Sequence, residues 1–335
     1  MMKQCSIAIG CLVQWYEVEI VGEYLQSVKN ALKDIENKEN VIVDLYFNMT
    51  TSLEKIDESK MNMTKIARRF SDMEKDLKRD KINLNVQTLG GNMLHEMDSI
   101  YTIADYRREF NAKYCDVVDI LVWGESDSLL PKQMFVILND LHQHSLQNNT
   151  PKYLAFFGGC KMWDDSWKPV EHNDFTNKQH SDNKDDWWSV NYTMTIDEMN
   201  EINEKVDELD VRIVSPHKFN GCGLVISSEV IRSGVNIPRS AFFVHEDTAF
   251  SIMTNKVLGD IPQYVIKNIL LVHNRKSMNK REYIQEESGN TIGEMRKSND
   301  WYTLANKMCE QNNHNLFNPN YKSFTWDDVF NKLEK

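Results

Sequence analysis

Short, uninterrupted apolar runs that stop abruptly at polar residues constrain the fold of this chain more than any other feature. The clearest is Ile120-Leu121-Val122-Trp123, followed at once by Gly124-Glu125-Ser126-Asp127 and, after three intervening residues, by Pro131. A run with no polar alternation reads as a strand covered on both faces, as in a parallel sheet between helical layers. Gly124 lets the chain turn, and Pro131 suits the first turn of a helix expected over 132–147. Glu125 and Asp127 then fall at the carboxyl end of a central strand, where open α/β sheets place their ligands. Two carboxylates there can hold a hard divalent cation with phosphate on its far side; a solvated acidic turn is the other reading of the same residues.

The same pattern opens the chain. An apolar run over 6–13 precedes a helical spacing over 17–38 (Ile20, Val21, Tyr24, Leu25, Val28, Ala31, Leu32, Ile35), and a second run follows over 41–48. Strand, helix and strand in this order predict parallel pairing with a right-handed crossover. Trp15 and Asn48 end these two strands and should face the same cleft as Glu125 and Asp127, with Trp15 able to stack on a base or simply to pack. Residues 51–81 read as helical and charged, with Arg68, Arg69, Lys75, Lys78, Arg79 and Lys81 close together; such a run is either a solvated face or a polyanion contact. A third strand is expected over 83–89 and a helix over 98–115.

In the second half, 153–159 is another strand with a glycine stop. Residues 160–194 lose periodicity and become acidic and aromatic, with Trp163, Trp167, Trp187 and Trp188. An insertion of this length suits sugar or base stacking, or pinning of a loop to the core. A charged amphipathic helix over 195–209 and a short strand over 211–214 follow. Gly221 and Gly223 precede the apolar run 224–227 and allow close backbone approach. The segment 241–250 is expected to repeat the central pattern: an apolar strand ending in Glu246 and Asp247, which begin a helix and could serve only as its cap. A last strand over 264–272 runs into His273.

Composition narrows the class. The 335 residues carry a net charge of −11, which argues against wholesale attraction to nucleic acid or anionic membrane. No apolar run approaches the roughly 20 residues that span a bilayer. The six cysteines are scattered without metal spacing and suit a reduced, cytoplasmic protein.

Taken in order, Glu125-Ser126-Asp127, Asn220-Gly221-Cys222-Gly223, His245-Glu246-Asp247 and His273 resemble the motif series of GT-A fold glycosyltransferases of the family-2-like group. The likeness spans about 6–275. It departs in having Glu125 where the metal motif usually begins with Asp, and Gln14-Trp15-Tyr16-Glu17 in place of an early Asn-Glu pattern. The resemblance implies an α/β fold, a GT-A type αβα sandwich with a mostly parallel central sheet, an aromatic-rich insertion at 160–194 and a helical C-terminal tail. The nucleotide-sugar half would be about 1–130, the acceptor half 131–275 and the helical extension 276–335.

It further implies Mn²⁺ or Mg²⁺ held by Asp127, His273 and Glu125, and a nucleotide-diphosphate sugar lined by Trp15, Asn48, Arg107, Glu125, Gly221 and Gly223. Arg107 or Arg108 would approach the diphosphate. Asp247 would be the general base of an inverting transfer, with Glu246 as substitute or acceptor-orienting group. The acceptor hydroxyl would belong to a glycan or, in a phage-type variant, to a hydroxymethylated base in DNA. A nucleotidyltransferase of related architecture and a non-catalytic nucleotide-sugar-binding protein are the competing classes.

Overall fold

A strand buried on both faces needs helices above and below it, and β1 (Ile7–Gln14), buried except at its last residue, sets that arrangement. The computed structural model describes residues 4–14, 17–18, 21–48, 63–89, 100–158, 195–214, 221–273 and 300–334. After β1 come α1 (Val21–Ala31), β2 (Val41–Asn48), α2 (Met63–Arg79), β3 (Asn83–Leu89), α3 (Ile103–Tyr114) and β4 (Ile120–Trp123). The middle of the chain forms β5 (Ser128–Leu129), α4 (Met134–Gln147), β6 (Leu154–Gly158), α5 (Ile196–Asn203) and β7 (Val211–Val214). Then follow β8 (Leu224–Ser227), α6 (Ser228–Arg232), α7 (Glu246–Leu258), β9 (Gln263–Leu270) and β10 (Val272–His273). Two C-terminal helices, α8 (Asp300–His314) and α9 (Trp326–Leu333), complete the described chain.

Eight strands form one sheet in the order β3-β2-β1-β4-β8-β6-β9-β7. β1 pairs in parallel with both β2 and β4, as the strand–helix–strand opening predicts. Only β8 and β7 run against the others, so the sheet is mostly parallel. Side chains of β1 divide by the two-residue period of a strand. Ile7, Ile9, Cys11 and Val13 pack with Val21, Tyr24, Leu25 and Val28 of α1 and with Met134, Phe135 and Leu138 of α4. Ala8 and Leu12 face the opposite layer, built from Tyr106, Phe110 and Tyr114 of α3, Val230 and Ile231 of α6, and Ala249 and Phe250 of α7. The result is the αβα sandwich, and each fully buried aliphatic or aromatic side chain adds roughly 1.5–3 kcal/mol to it. Gly10 keeps that second layer close, since a Cβ there would lie 2.6 Å from the Phe110 ring and the Tyr106 hydroxyl.

Two expectations need correction. The helices expected at 17–38, 98–115 and 195–209 are shorter, at Val21–Ala31, Ile103–Tyr114 and Ile196–Asn203; a capping box of Thr102 with Asp105 starts the middle one later than its spacing suggests, and one of Thr195 with Glu198 starts the last. The second is the apolar run 241–244, which is not a strand. Phe242 and Phe243 instead leave the sheet layer and pack with Trp301, Ala305, Met308 and Cys309 of α8 and Val329 of α9. Aromatic side chains in a short run can satisfy burial against helices as readily as within a sheet, and Asn312 of α8 secures the choice by donating to the Ser240 carbonyl at 2.8 Å.

The basic run on α2 is interleaved with acids. Lys78 pairs with Glu74 at 2.5 Å, Arg79 with Asp76, and Lys29 of α1 reaches Asp76 and Asp80. The tryptophan-rich insertion 160–194 lies outside the described residues. No helix among the described residues is long and apolar enough to cross a membrane.

Candidate active site

The parallel strands end unevenly. β1 pairs with β4 only as far as Gly10 opposite Trp123, whereas its pairing with β2 continues to Gln14 opposite Asn48. β1 and β2 therefore overhang the end of β4 by the stretch from Cys11 to Gln14, ~13 Å at ~3.3 Å per residue. At the rim Asn48 is buried, its amide donating to Gln14 Oε1 at 2.9 Å and to the Tyr101 carbonyl at 3.0 Å. Trp15, expected beside it, lies outside the described residues.

The floor begins where β4 stops. The Gly124 N–H donates to the Gly10 carbonyl at 2.7 Å, and the chain then turns sharply. The Glu125 carbonyl accepts from the Ser128 N–H at 3.0 Å and from the Ser128 hydroxyl at 2.8 Å, which fixes the Glu125–Ser126–Asp127 turn. Glu125 and Asp127 are both half-buried in it, as expected of residues at the carboxyl end of a central strand. Ser128 and Leu129 then pair antiparallel with β10, placing His273 directly opposite Ser128 and so one residue from Asp127 in register.

The glycine loop meets the same edge because β8 is antiparallel to β4 and starts at Leu224, opposite Trp123. Gly223 has φ +73°, its N–H donates to the Trp123 carbonyl at 2.8 Å, and a Cβ there would lie 2.5 Å from Leu271. Its role is thus to make a tight turn into β8. Gly221 sits deeper: its N–H donates to Asp247 Oδ2 at 3.1 Å and its carbonyl accepts from Arg107 Nη2 at 2.9 Å. Asn220 lies outside the described residues.

Arg107 is the residue whose placement departs most from sequence reasoning. Instead of lying at the surface, it projects from α3 into the interior and is 2% exposed. Its Nη1 donates to Glu246 Oε1 at 2.5 Å, its Nη2 to Glu125 Oε1 at 2.7 Å, and the guanidinium lies 4.8 Å from the Trp123 ring centre. Arg108 is spent on structure, donating to the carbonyls of Ile237, Pro238 and Ala241. Arg107 thereby joins the acid after β4, the glycine loop and the acid that opens α7.

The electrostatics follow from that burial. Desolvation disfavours the Arg107 charge, but Glu246 and then Glu125 beside it more than compensate and hold the guanidinium above its ordinary value. Burial pushes the Glu246 carboxyl up to about 7; Arg107 pulls against the rise, while Asp247 and Glu125 add to it. Asp247 is also raised by burial, opposed by Arg107 and by the Thr248 N–H, which donates to its Oδ1 at 2.6 Å. A raised carboxylate is a stronger base than an exposed one, which suits proton abstraction near neutral pH.

The start of α7 is held from outside the sheet. His245 has φ +63° and ψ +26°, a left-handed conformation unusual for a residue with a side chain. Its Nε2 lies 3.1 Å from Asn306 Oδ1, and its carbonyl accepts from Asn313 Nδ2 at 2.9 Å. Neither asparagine carries a local sequence signal, since both act on a segment more than sixty positions away.

Among the described residues, no three His, Cys, Asp or Glu side chains converge as a complete metal cage. The oxygen-rich pair Glu125 and Asp127 fits Mg²⁺ or Mn²⁺ in the manner of phosphate-binding sites, where one or two carboxylates share the ion with substrate phosphates. Glu125 also engages Arg107, at 2.7 Å.

No family model matches the sequence, and no curated protein matches it. Among solved structures, the chain is similar to residues 1–349 of TarS from S. aureus, at 12% identity and TM-score 0.45, covering 93% of this chain and 72% of that one. It is also similar to the mannosyltransferase PcManGT from Pyrobaculum calidifontis, solved in complex with GDP-Man and Mn²⁺, at 12% identity and TM-score 0.45, covering 93% of this chain and 71% of that one.

Proposed function

We propose that this chain is a metal-dependent glycosyltransferase that moves a sugar from a nucleotide-diphosphate donor to an acceptor hydroxyl with inversion. The observation that carries the reading is the meeting, at one sheet edge, of the acidic turn after β4 and the acid pair opening α7, joined through Arg107. Their order along the chain is that of the GT-A motif series.

In this reading the overhang of β1 and β2 receives the nucleotide, with Asn48 at its rim. Asp127 and His273, brought into adjacent register by β5 and β10, would hold Mn²⁺ or Mg²⁺ together with Glu125. When bound, the ion neutralises charge developing on the diphosphate leaving group. Asp247 accepts the acceptor hydroxyl's proton as that oxygen bonds to the anomeric carbon and the bond to the diphosphate breaks. Gly221 orients Asp247 through its N–H. Glu246, tied to Arg107, supports that geometry rather than taking the proton. A carbohydrate acceptor is favoured over DNA because the cations of α2 are offset by acids on and beside the same helix.

The test is a panel of UDP-glucose, GDP-mannose and dTDP-glucose with and without Mn²⁺, read by thermal shift and by donor hydrolysis. One donor should stabilise the protein and be hydrolysed only with metal, and Asp127→Ala should abolish both effects. No response to any nucleotide sugar, or an Asp127→Ala variant equal to wild type, sinks the reading.

A further inference from the structure

Three strand or helix ends must keep a fixed spacing for a donor and an acceptor to meet, and the Arg107 side chain touches all three. We propose that Arg107 is the positioning residue of this site, setting the distance between the donor-side acid Glu125 and the acceptor-side pair Glu246 and Asp247. The inference rests on the glycosyltransferase reading above and assigns a residue role that the motif series does not contain.

The geometry is specific to a guanidinium. One planar fork serves Glu246 through Nη1, and Glu125 and the Gly221 carbonyl through Nη2. A lysine ammonium would supply the charge but not two divergent donors at fixed angles. The cradle is fitted to the arginine: a Cβ at Gly221 would overlap Arg107 Nη1 and crowd Cζ, so a side chain there would displace the guanidinium. The stem is held by α3, where Asn111, one turn later, receives the Trp123 indole N–H at 2.9 Å, and Trp123 in turn packs against the guanidinium. Arg107 touches the acids and not the reacting atoms, so it acts through them. Because Gly221 also orients Asp247, moving the guanidinium shifts the base together with Glu246.

The test compares Arg107→Lys, Arg107→Ala and Gly221→Ala with wild type on whichever panel donor the wild type hydrolyses with Mn²⁺. Arg107→Lys, which keeps the charge, should fold with an unchanged circular dichroism spectrum, lose about 100-fold in kcat and change little in donor KM, as expected for a misplacement on the order of 1 Å. Gly221→Ala should reproduce that split by pushing the guanidinium from the other side. Added guanidinium ion at millimolar concentration should restore part of the kcat of Arg107→Ala. An Arg107→Lys protein with wild-type kcat, or variants whose losses track only melting temperature without guanidinium rescue, overturns the positioning role and leaves the glycosyltransferase reading intact. A wild-type protein inert toward every donor overturns both.

Discussion

Replacing Glu246 by glutamine should change how stability responds to pH, and the structure indicates by how much. The Glu246 side chain is 9% exposed, with burial holding its carboxyl at about 7 against an ordinary value of 4.5. In the unfolded chain the same group ionises at its ordinary value. Between those two values the folded chain keeps a proton that the unfolded chain has released. The resulting stabilisation is complete below the unfolded value and is lost as pH rises through about 7. Across that window the loss is ~3 kcal/mol at ~1.4 kcal/mol per tenfold change in proton affinity. Glutamine cannot ionise, and its carbonyl still accepts from Arg107. Urea unfolding of wild type and Glu246→Gln at pH 5, 6, 7 and 8 should therefore give a stability difference that moves in favour of the variant by roughly 2–3 kcal/mol between the extremes. Wild type should retain the steeper decline, and the variant a shallower one of the same sign, because Asp247 is also raised by burial. A stability difference that stays flat from pH 5 to 8 refutes the account of a buried, proton-holding Glu246.

Other perturbations test the scaffold around the site. Asp44, 2% exposed in mid-β2, accepts from the Tyr106 and Tyr114 hydroxyls and the Asn85 amide and pairs with Lys113; Asp44→Ala should cost about 3–5 kcal/mol in chemical denaturation by orphaning these donors, and Asp44→Asn less. At His245 the left-handed backbone predicts an inverted size rule: His245→Gly should be more stable than His245→Ala by ~1 kcal/mol, measured by urea midpoint, although alanine fills more space.

The sheet was legible because its signals are local. The segments expected as strands at 41–48, 83–89, 120–123 and 224–227 end where the strands end, 6–13 ends one residue short of β1, and the order strand, helix, strand admits essentially one parallel arrangement. The run 241–244 shows the limit of that logic. Its two phenylalanines have the composition of a strand, but partners sixty residues later provide an alternative place to bury them. Burial depends on what is nearby in space, and a local pattern cannot report that.

Arg107 illustrates the same division within the site. On α3 it is one of several cations in a helical stretch, and nothing adjacent distinguishes it from a surface charge. Its partners stand 18 and 139 positions away. The sequence alone was enough to place Glu125 and Asp127 at the carboxyl end of a central parallel strand, since strand direction and chain order dictate which ends lie together. Only the tertiary structure decided that Glu125 and Glu246 are held by one buried guanidinium. The strength of that interaction comes from excluding water around groups far apart in the chain, and water is excluded only once the layers have packed.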